Sequence, residues 1–374
     1  MVYTIKKEPT YMKEAVALDD MVLTKEEITS AGSKMLENYV SLFDATVVEK
    51  LSENYEIIGK ISTSEFALGM FANSAVDALN EKEIKGVVGL ETNGAYIRSA
   101  AVLGKVFVKP TYGTVSRFGI IPVACSGDTV GVMANSESDC QEILETIAVH
   151  DDKDGTSLQQ SKIDDAKKVS AVKKVAIIKS LMKDVSDEIK SKINETLENA
   201  KKQGVEIVEV EGDILLQAKI AWAILSSAEF CNNVSRYDGV KYGYRAKDCK
   251  SIEDIYVKSR TEAFGQKVKT LVLYGSHVLS TDNYEKMYDK ALRVRRLIRD
   301  FFDNLFSSVD AVILPACSST EISEKADAIE VYKESKYTSP SSISGLPVVV
   351  SNGVQWVGKP FAEGSLLAFC KQLA

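Results

Sequence analysis

The sequence predicts an α/β protein built around a central β-sheet. Short apolar runs of strand character recur along the chain, and segments with apolar residues at helical spacing lie between them. A balance of 45% hydrophobic and 26% charged residues over 374 positions is that of a globular chain able to bury a large core.

Taken in order, residues 33–51 carry apolar positions at helical spacing, and residues 55–59, 86–90 and 106–108 read as strands. Residues 137–150 predict a helix. Residues 151–174 are polar, lysine-rich and poor in large apolar side chains, which suggests a surface linker between two lobes of a single domain spanning 1–374. Beyond it, 172–178 and 205–210 read as strands around a helix at 185–202. Helices follow at 214–235, 252–274 and 282–306, then strands at 309–314 and 347–351. On the 282–306 helix, Arg293, Arg295, Arg296 and Arg299 form a basic cluster, which Glu285, Asp289 and Asp300 answer as on an exposed, charge-laced face.

Composition narrows the chemistry. A net charge of -7 argues against a broad electropositive surface, so direct nucleic-acid binding is not expected. The six cysteines contain no C-x-x-C pair and only two histidines, His150 and His277, are present. No metal or cofactor is therefore expected. With no uninterrupted run of about 18 apolar residues and a charged opening, the expectation is a cytoplasmic protein without a membrane anchor.

Several segments point to kinship. Ala31-Gly32-Ser33-Lys34-Met35-Leu36-Glu37-Asn38-Tyr39, then Asp44-Ala45-Thr46-Val47-Val48 and the stretch from Gly59 to Gly69, form one set. Lys109-Pro110-Thr111-Tyr112-Gly113-Thr114-Val115-Ser116-Arg117 and the Asp151-to-Ser157 segment form a second. Arg236-Tyr237-Asp238-Gly239-Val240-Lys241-Tyr242-Gly243-Tyr244-Arg245 is the third. Together they resemble the amidase-signature family, and within it the A subunits of glutamyl-tRNA(Gln) amidotransferase, from about Asp19 to the C-terminus. The resemblance implies a mixed central sheet covered by helices on both faces, here shortened at the N-terminus and at a Gly/Ser-rich loop. It gives Lys109, Tyr112, Arg117, Arg236, Tyr237, Asp238, Tyr242 and Arg245 structural or partner-facing roles.

The same resemblance implies an amide-cleaving centre made of a serine nucleophile, a bridging serine and a proton-shuttling lysine. Such a lysine must be neutral at rest, and the nucleophile needs backbone N–H groups to hold an oxyanion. The lysine's segment matches Leu18-Asp19-Asp20, which places Leu18 at the catalytic position; a one-residue shift would put Ala17 or Asp19 there, and none is an amine. Between Ser74 and the strand at 86–90, residues 76–85 contain neither glycine nor serine where the bridging loop belongs. The nucleophile turn matches Glu91-Thr92-Asn93-Gly94-Ala95, with Ala95 for the serine and Tyr96 positioned to crowd the cavity. At Thr270 and Leu271 the arginine expected to hold a substrate carboxylate is missing, and Ser335 stands where an acid is expected.

These departures predict a non-catalytic relative, acting as a scaffold or regulatory component of an amidotransferase-like complex. Its expected partners are proteins like the B or C subunits of that enzyme, or an intact paralogue of its A subunit. Two alternatives remain open at this point: an amidase or amidotransferase with relocated catalytic residues, such as Thr92, Ser99 or Ser64, and a small-molecule binding protein using a remnant pocket of Glu91, Thr92, Asn93, Gly94 and Arg98. Residues Ser62 to Glu65 read as a helix cap.

Overall fold

The computed structural model describes residues 2–373. Among these, eleven strands join in one mixed sheet: β1 (Tyr3–Lys6), β2 (Ala15–Asp19), β3 (Glu56–Ile61), β4 (Ile84–Glu91), β5 (Val106–Lys109), β6 (Thr129–Ala134), β7 (Lys174–Ile178), β8 (Glu206–Val210), β9 (Ala311–Leu314), β10 (Val348–Ser351) and β11 (Val354–Gly358). Their spatial order is β1-β3-β2-β4-β6-β5-β10-β11-β9-β7-β8. Strands β3, β2 and β4 run parallel at one end, and β8, β7 and β9 at the other. Antiparallel pairings of β4, β6, β5, β10, β11 and β9 bridge the two parallel groups.

Thirteen α-helices among the described residues cover the sheet: α1 (Thr46–Asn54), α2 (Asn73–Leu79), α3 (Ala95–Leu103), α4 (Glu137–Ile147), α5 (Gln160–Ile163), α6 (Asp187–Lys202), α7 (Ala218–Val234), α8 (Ile252–Ala263), α9 (Gln266–Val278), α10 (Lys290–Leu305), α11 (Ala328–Glu334), α12 (Ser339–Ser344) and α13 (Glu363–Leu373). Strand side chains alternate between two apolar layers, as the pleat requires. Val16, Leu18, Val88 and Leu90 pack with α1 and α4 on one face. Ala15, Ala17, Val87 and Phe107 pack with α2, α3, α7 and α12 on the other. The mixed sheet with both faces covered is the architecture the resemblance implied.

The seven expected strands all form, and four more were not foreseen. Two expected helices break and a third changes its winding. In place of 33–51, a 3-10 turn at Lys34–Leu36 leads into a loop before α1. There Ser41 Oγ donates to the Phe43 carbonyl (2.7 Å) and Asp44 Oδ1 accepts from Lys25 N–H (2.7 Å), side-chain bonds that compete with helix formation. The 252–274 helix divides into α8 and α9 because Phe264 turns extended (φ -85, ψ 132). The 282–306 helix opens as a π-turn, Tyr284–Asp289, ahead of α10.

Residues 151–174 run to β7 through the short α5, with Asp151, Ile163 and Ala166 buried. Asp151 Oδ2 accepts from the hydroxyls of Thr46 and Ser116, both at 2.6 Å. On α10, Arg293, Arg296 and Arg299 pair with Asp289, Asp300 and Asp303 at 2.6, 2.8 and 2.9 Å. Their charge is largely spent along the helix. The helical stretch Asp213–Val234 is long and apolar enough to cross a bilayer (mean hydropathy 1.3), but half of it is buried inside the protein.

Candidate functional site

The centre of interest lies where β4 ends and α3 begins, on the face covered by α2, α7 and α12. The chain turns through Gly94 at φ +90, a left-handed conformation that favours glycine, and a Cβ there would meet the Thr338 side chain at 2.4 Å. Helix α3 then starts at Ala95 with its first N–H groups unpaired by the helix itself. Glu91, buried at the end of β4, folds its carboxylate back onto them. One oxygen accepts from Gly94 N–H, and the other from Tyr96 N–H (2.9 Å) and Ile97 N–H (3.3 Å). Burial pushes the Glu91 carboxyl above the usual carboxylate range, against the pull of these bonds and of the Arg98 and Lys109 charges.

Neighbouring side chains are likewise engaged internally. Thr92 donates to Asp128 Oδ1 at 2.6 Å, and Trp222 Nε1 donates to Asn93 Oδ1 at 3.1 Å. Arg98, fully buried, donates from Nε to the Met70 carbonyl (2.9 Å) and from Nη1 to Thr338 Oγ1 (3.4 Å). Burial lowers its pKa. Asn93 borders a small apolar cavity of about 80 Å³ beside Trp222, Phe230 and Leu271, with Ser335 in its lining. Glu91, Thr92 and Arg98, expected as remnant-pocket residues, are therefore buried structural groups, and only the Asn93 position opens toward space.

Strand parity decides which residue of the Leu18-Asp19-Asp20 segment faces α3. Leu18 lies with Val16 in the opposite apolar layer, whereas Asp19 follows Ala15 and Ala17 onto the α3 face. Asp19 Oδ2 accepts the Tyr96 hydroxyl at 2.9 Å, and Oδ1 accepts Met21 N–H at 3.0 Å. Leu18, matched to the lysine's position from sequence, faces the layer away from Tyr96, whereas Asp19 meets it. Burial pushes the Asp19 carboxyl up to about 7 and the Tyr96 phenol well above its ordinary range. Tyr96 stacks on Phe107 (5.3 Å between ring centroids). Its room comes from Gly89, where a Cβ would lie 2.1 Å from the Tyr96 oxygen.

A second, polar cleft of about 260 Å³ opens beside this pair, reaching Asp19, Tyr96, Ser62, Ser64, Asn73 and Lys267. Asn73–Leu79 form α2 and the chain enters β4 at Ile84, so the stretch 76–85, expected to replace a loop, is mostly helix and the turn into a strand. Among the hydroxyls considered as substitutes, Thr92 and Ser99 are buried, the latter accepting from Ala72 N–H at 2.8 Å; Ser64 lines the cleft. Ser64 occupies a cap position before a 3-10 turn without a side-chain cap bond, contrary to the capping role read from sequence.

Of the signature residues, Lys109 is buried and donates to the Leu346 carbonyl (2.6 Å), with burial lowering its pKa to about 8. Tyr112 Oη donates to the Cys125 carbonyl (2.8 Å), and Arg117 Nη2 to Thr156 Oγ1 (2.8 Å). Tyr237 is buried and stacks on Phe66 at 5.6 Å, while Arg236 Nε donates to the Asn233 carbonyl (2.8 Å). Asp238 Oδ1 accepts from Val240 N–H (2.8 Å). Tyr242, against Tyr39 at 5.6 Å, and Arg245 are exposed.

The family model described as Amidase matches residues 88–367, most of the chain and the whole β4–α3 turn. The chain belongs to the amidase family. This amidase-family chain is 34% identical over 392 aligned residues to the A subunit of glutamyl-tRNA(Gln) amidotransferase from Coxiella burnetii (strain RSA 493 / Nine Mile phase I), covering 94% of itself and 81% of that relative. It is 32% identical to the corresponding A subunit of Acinetobacter baumannii (strain ATCC 17978), covering 96% and 81%. The crystal structure of the Thermotoga maritima A subunit superposes with a TM-score of 0.76 at 25% identity, covering 98% of this chain and 85% of that one. Kluyveromyces lactis allophanate hydrolase shares the fold, with a TM-score of 0.75 at 19% identity over 96% of this chain and 61% of that one.

Of the three residues considered, Asp19 is the one that meets Tyr96, and the Ala15-Ala17-Asp19 alternation is the pattern that carries it to that face. The position of Lys267, bordering both cavities, carried no such signal.

Proposed function

We propose that this chain is a non-catalytic member of the amidase family, a scaffold or regulatory component that stands in the place of the A subunit in an amidotransferase-type assembly of the cytoplasm. Its partners on this reading are proteins like the B or C subunits, or an intact copy of the A subunit, since the relatives carry the names of subunits. The observation that carries the proposal is the Glu91 carboxylate seated on the N–H groups that open α3. An amide substrate attacked at this turn would develop an oxyanion needing such donors. Here an internal anion holds them, and Ala95 supplies a methyl in place of an attacking oxygen. Asp19, an acid held by Tyr96, offers no amine to move a proton.

The test is ammonia release from glutamine by the purified chain, alone and mixed with the B and C subunits of an amidotransferase, beside an intact A subunit as the positive control. The expected rate is that of the blank, together with co-purification in the complex. Turnover that survives chromatography with the chain would defeat the proposal. A second reading has one observation in its favour, that Ser64 and Lys267 line the same cleft. Stoichiometric labelling of Ser64 by a fluorophosphonate would establish it.

A further inference from the structure

The apolar cavity of about 80 Å³ beside the β4–α3 turn carries one charge that nothing answers. Helix α7 supplies Trp222, Ala223, Ser226 and Phe230 to its wall, and α9 supplies Lys267 and Leu271, four residues apart on one helix face. Val331 and Tyr332 come from α11 and Asn93 from the turn. The lining contains no aspartate or glutamate. Among the described residues Lys267, half-buried, takes part in no ion pair and no hydrogen bond. On its other side it borders the polar cleft, where the acids are engaged: Asp19 by Tyr96 Oη and Met21 N–H, and Glu324 by the Asn73 amide nitrogen.

The polar atoms that share this cavity with Lys267 add donors to its charge. Asn93 Oδ1 already accepts from Trp222 Nε1 (3.1 Å), which leaves the Asn93 amide nitrogen to donate. Ser335 Oγ is spent on the Tyr332 carbonyl (2.7 Å), whereas the Ser226 hydroxyl makes no hydrogen bond among the described residues. A cation with N–H and O–H donors on an otherwise apolar wall selects a ligand with an anionic, acceptor-only head and a hydrocarbon tail. An ionised carboxylate is such a head. Size limits the tail: an apolar cavity of about 150 Å³ holds benzene, so roughly half that space suits a branched group of about four carbons.

We propose that this cavity binds a short branched-chain monocarboxylate, with its alkyl group against Trp222, Phe230 and Leu271, its carboxylate as the counter-charge of Lys267, and the Asn93 amide nitrogen as a further donor. Glutamine does not suit the same lining. Its ammonium would meet no acid here, since Ser335 stands where one was expected, and its side-chain amide would lie against hydrocarbon. The site does not depend on the amidase turn being silent, because it is read by binding without turnover. Ammonia release would defeat the reading of the turn and leave this one standing.

The experiment is calorimetric titration of the full chain with sodium isovalerate, beside acetate, isopentanol, isopentylammonium and glutamine. The expected result is saturable binding of isovalerate, with acetate weaker by roughly fiftyfold because three fewer carbons are buried at about fourfold each. Isopentanol and isopentylammonium should bind about tenfold more weakly or worse, and glutamine should not saturate. Lys267→Met should weaken isovalerate roughly tenfold while leaving isopentanol unchanged, and Ala223→Leu, which fills the cavity, should weaken both. Near-UV circular dichroism checks that each variant is folded, and the ligand series on the unaltered chain decides if one is not. Absence of saturable isovalerate binding, an affinity no better than that of acetate or isopentanol, tighter binding of glutamine, or indifference to both substitutions would overturn the assignment.

Discussion

Replacing Asp19 by asparagine separates the cost of a buried carboxylate from the packing around it. The side chain keeps its shape and can still accept the Tyr96 hydroxyl, but it no longer ionises. Burial raises the Asp19 carboxyl from its ordinary 3.8 to about 7. In the unfolded chain the proton leaves near 3.8, whereas in the folded protein it stays until about 7, so folding takes up a proton between those values. Wild-type stability therefore falls relative to the variant as pH rises through this window, and the difference is constant above it. At about 1.4 kcal/mol per pH unit, the relative gain of Asp19→Asn from pH 4 to pH 8 comes to roughly 4 kcal/mol. Urea unfolding of both proteins at half-unit pH intervals reads this directly, because titrations common to both cancel in the difference. A stability difference that stays flat from pH 4 to 8 would refute the reasoning, since it would mean that the buried carboxyl titrates as it does in the unfolded chain.

Three further outcomes follow from the same geometry. Gly89→Ala drives a methyl to within 2.1 Å of the Tyr96 oxygen and should lower stability by about 1–3 kcal/mol in thermal unfolding, with most of the loss relieved in a Tyr96→Leu background. Glu91→Ala strips the acceptor from the Gly94, Tyr96 and Ile97 N–H groups and should cost about 2–3 kcal/mol in chemical denaturation, with a smaller loss for Glu91→Gln. Ala95→Ser, alone or with Asp19→Lys, should release no ammonia from glutamine above the blank. On the proposed reading a hydroxyl added at position 95 meets N–H groups that the Glu91 carboxylate still occupies.

Much of the fold could be read from the chain because its strands announce themselves locally. Residues 87–90 and 348–350 are valine-rich and buried on both faces, so their apolar runs are continuous. Strand β2, Ala-Val-Ala-Leu-Asp, holds a single β-branched residue, and it and β6 form because neighbours on each side complete their ladders. The edge strand β1 alternates half-buried and exposed residues and gains its place by pairing with β3. The break at Phe264 sits where its ring packs on Phe66 (6.3 Å), and the one before α1 where Asp44 accepts from Lys25 N–H, contacts between distant segments that periodicity does not encode.

The sequence by itself determined the family and the mixed sheet with its two helical layers. An alanine at position 95 and a loop without glycine or serine are facts of composition that no folding can alter. Tertiary structure decided where the remaining polar atoms point. Glu91, read from sequence as a pocket residue, turns inward because a helix N-terminus with unpaired N–H groups is the nearest partner for a buried carboxylate. Asp19 and Tyr96 lie 77 positions apart, and only the pairing of β2 with β4 and the packing of α3 over them bring acid and phenol to 2.9 Å.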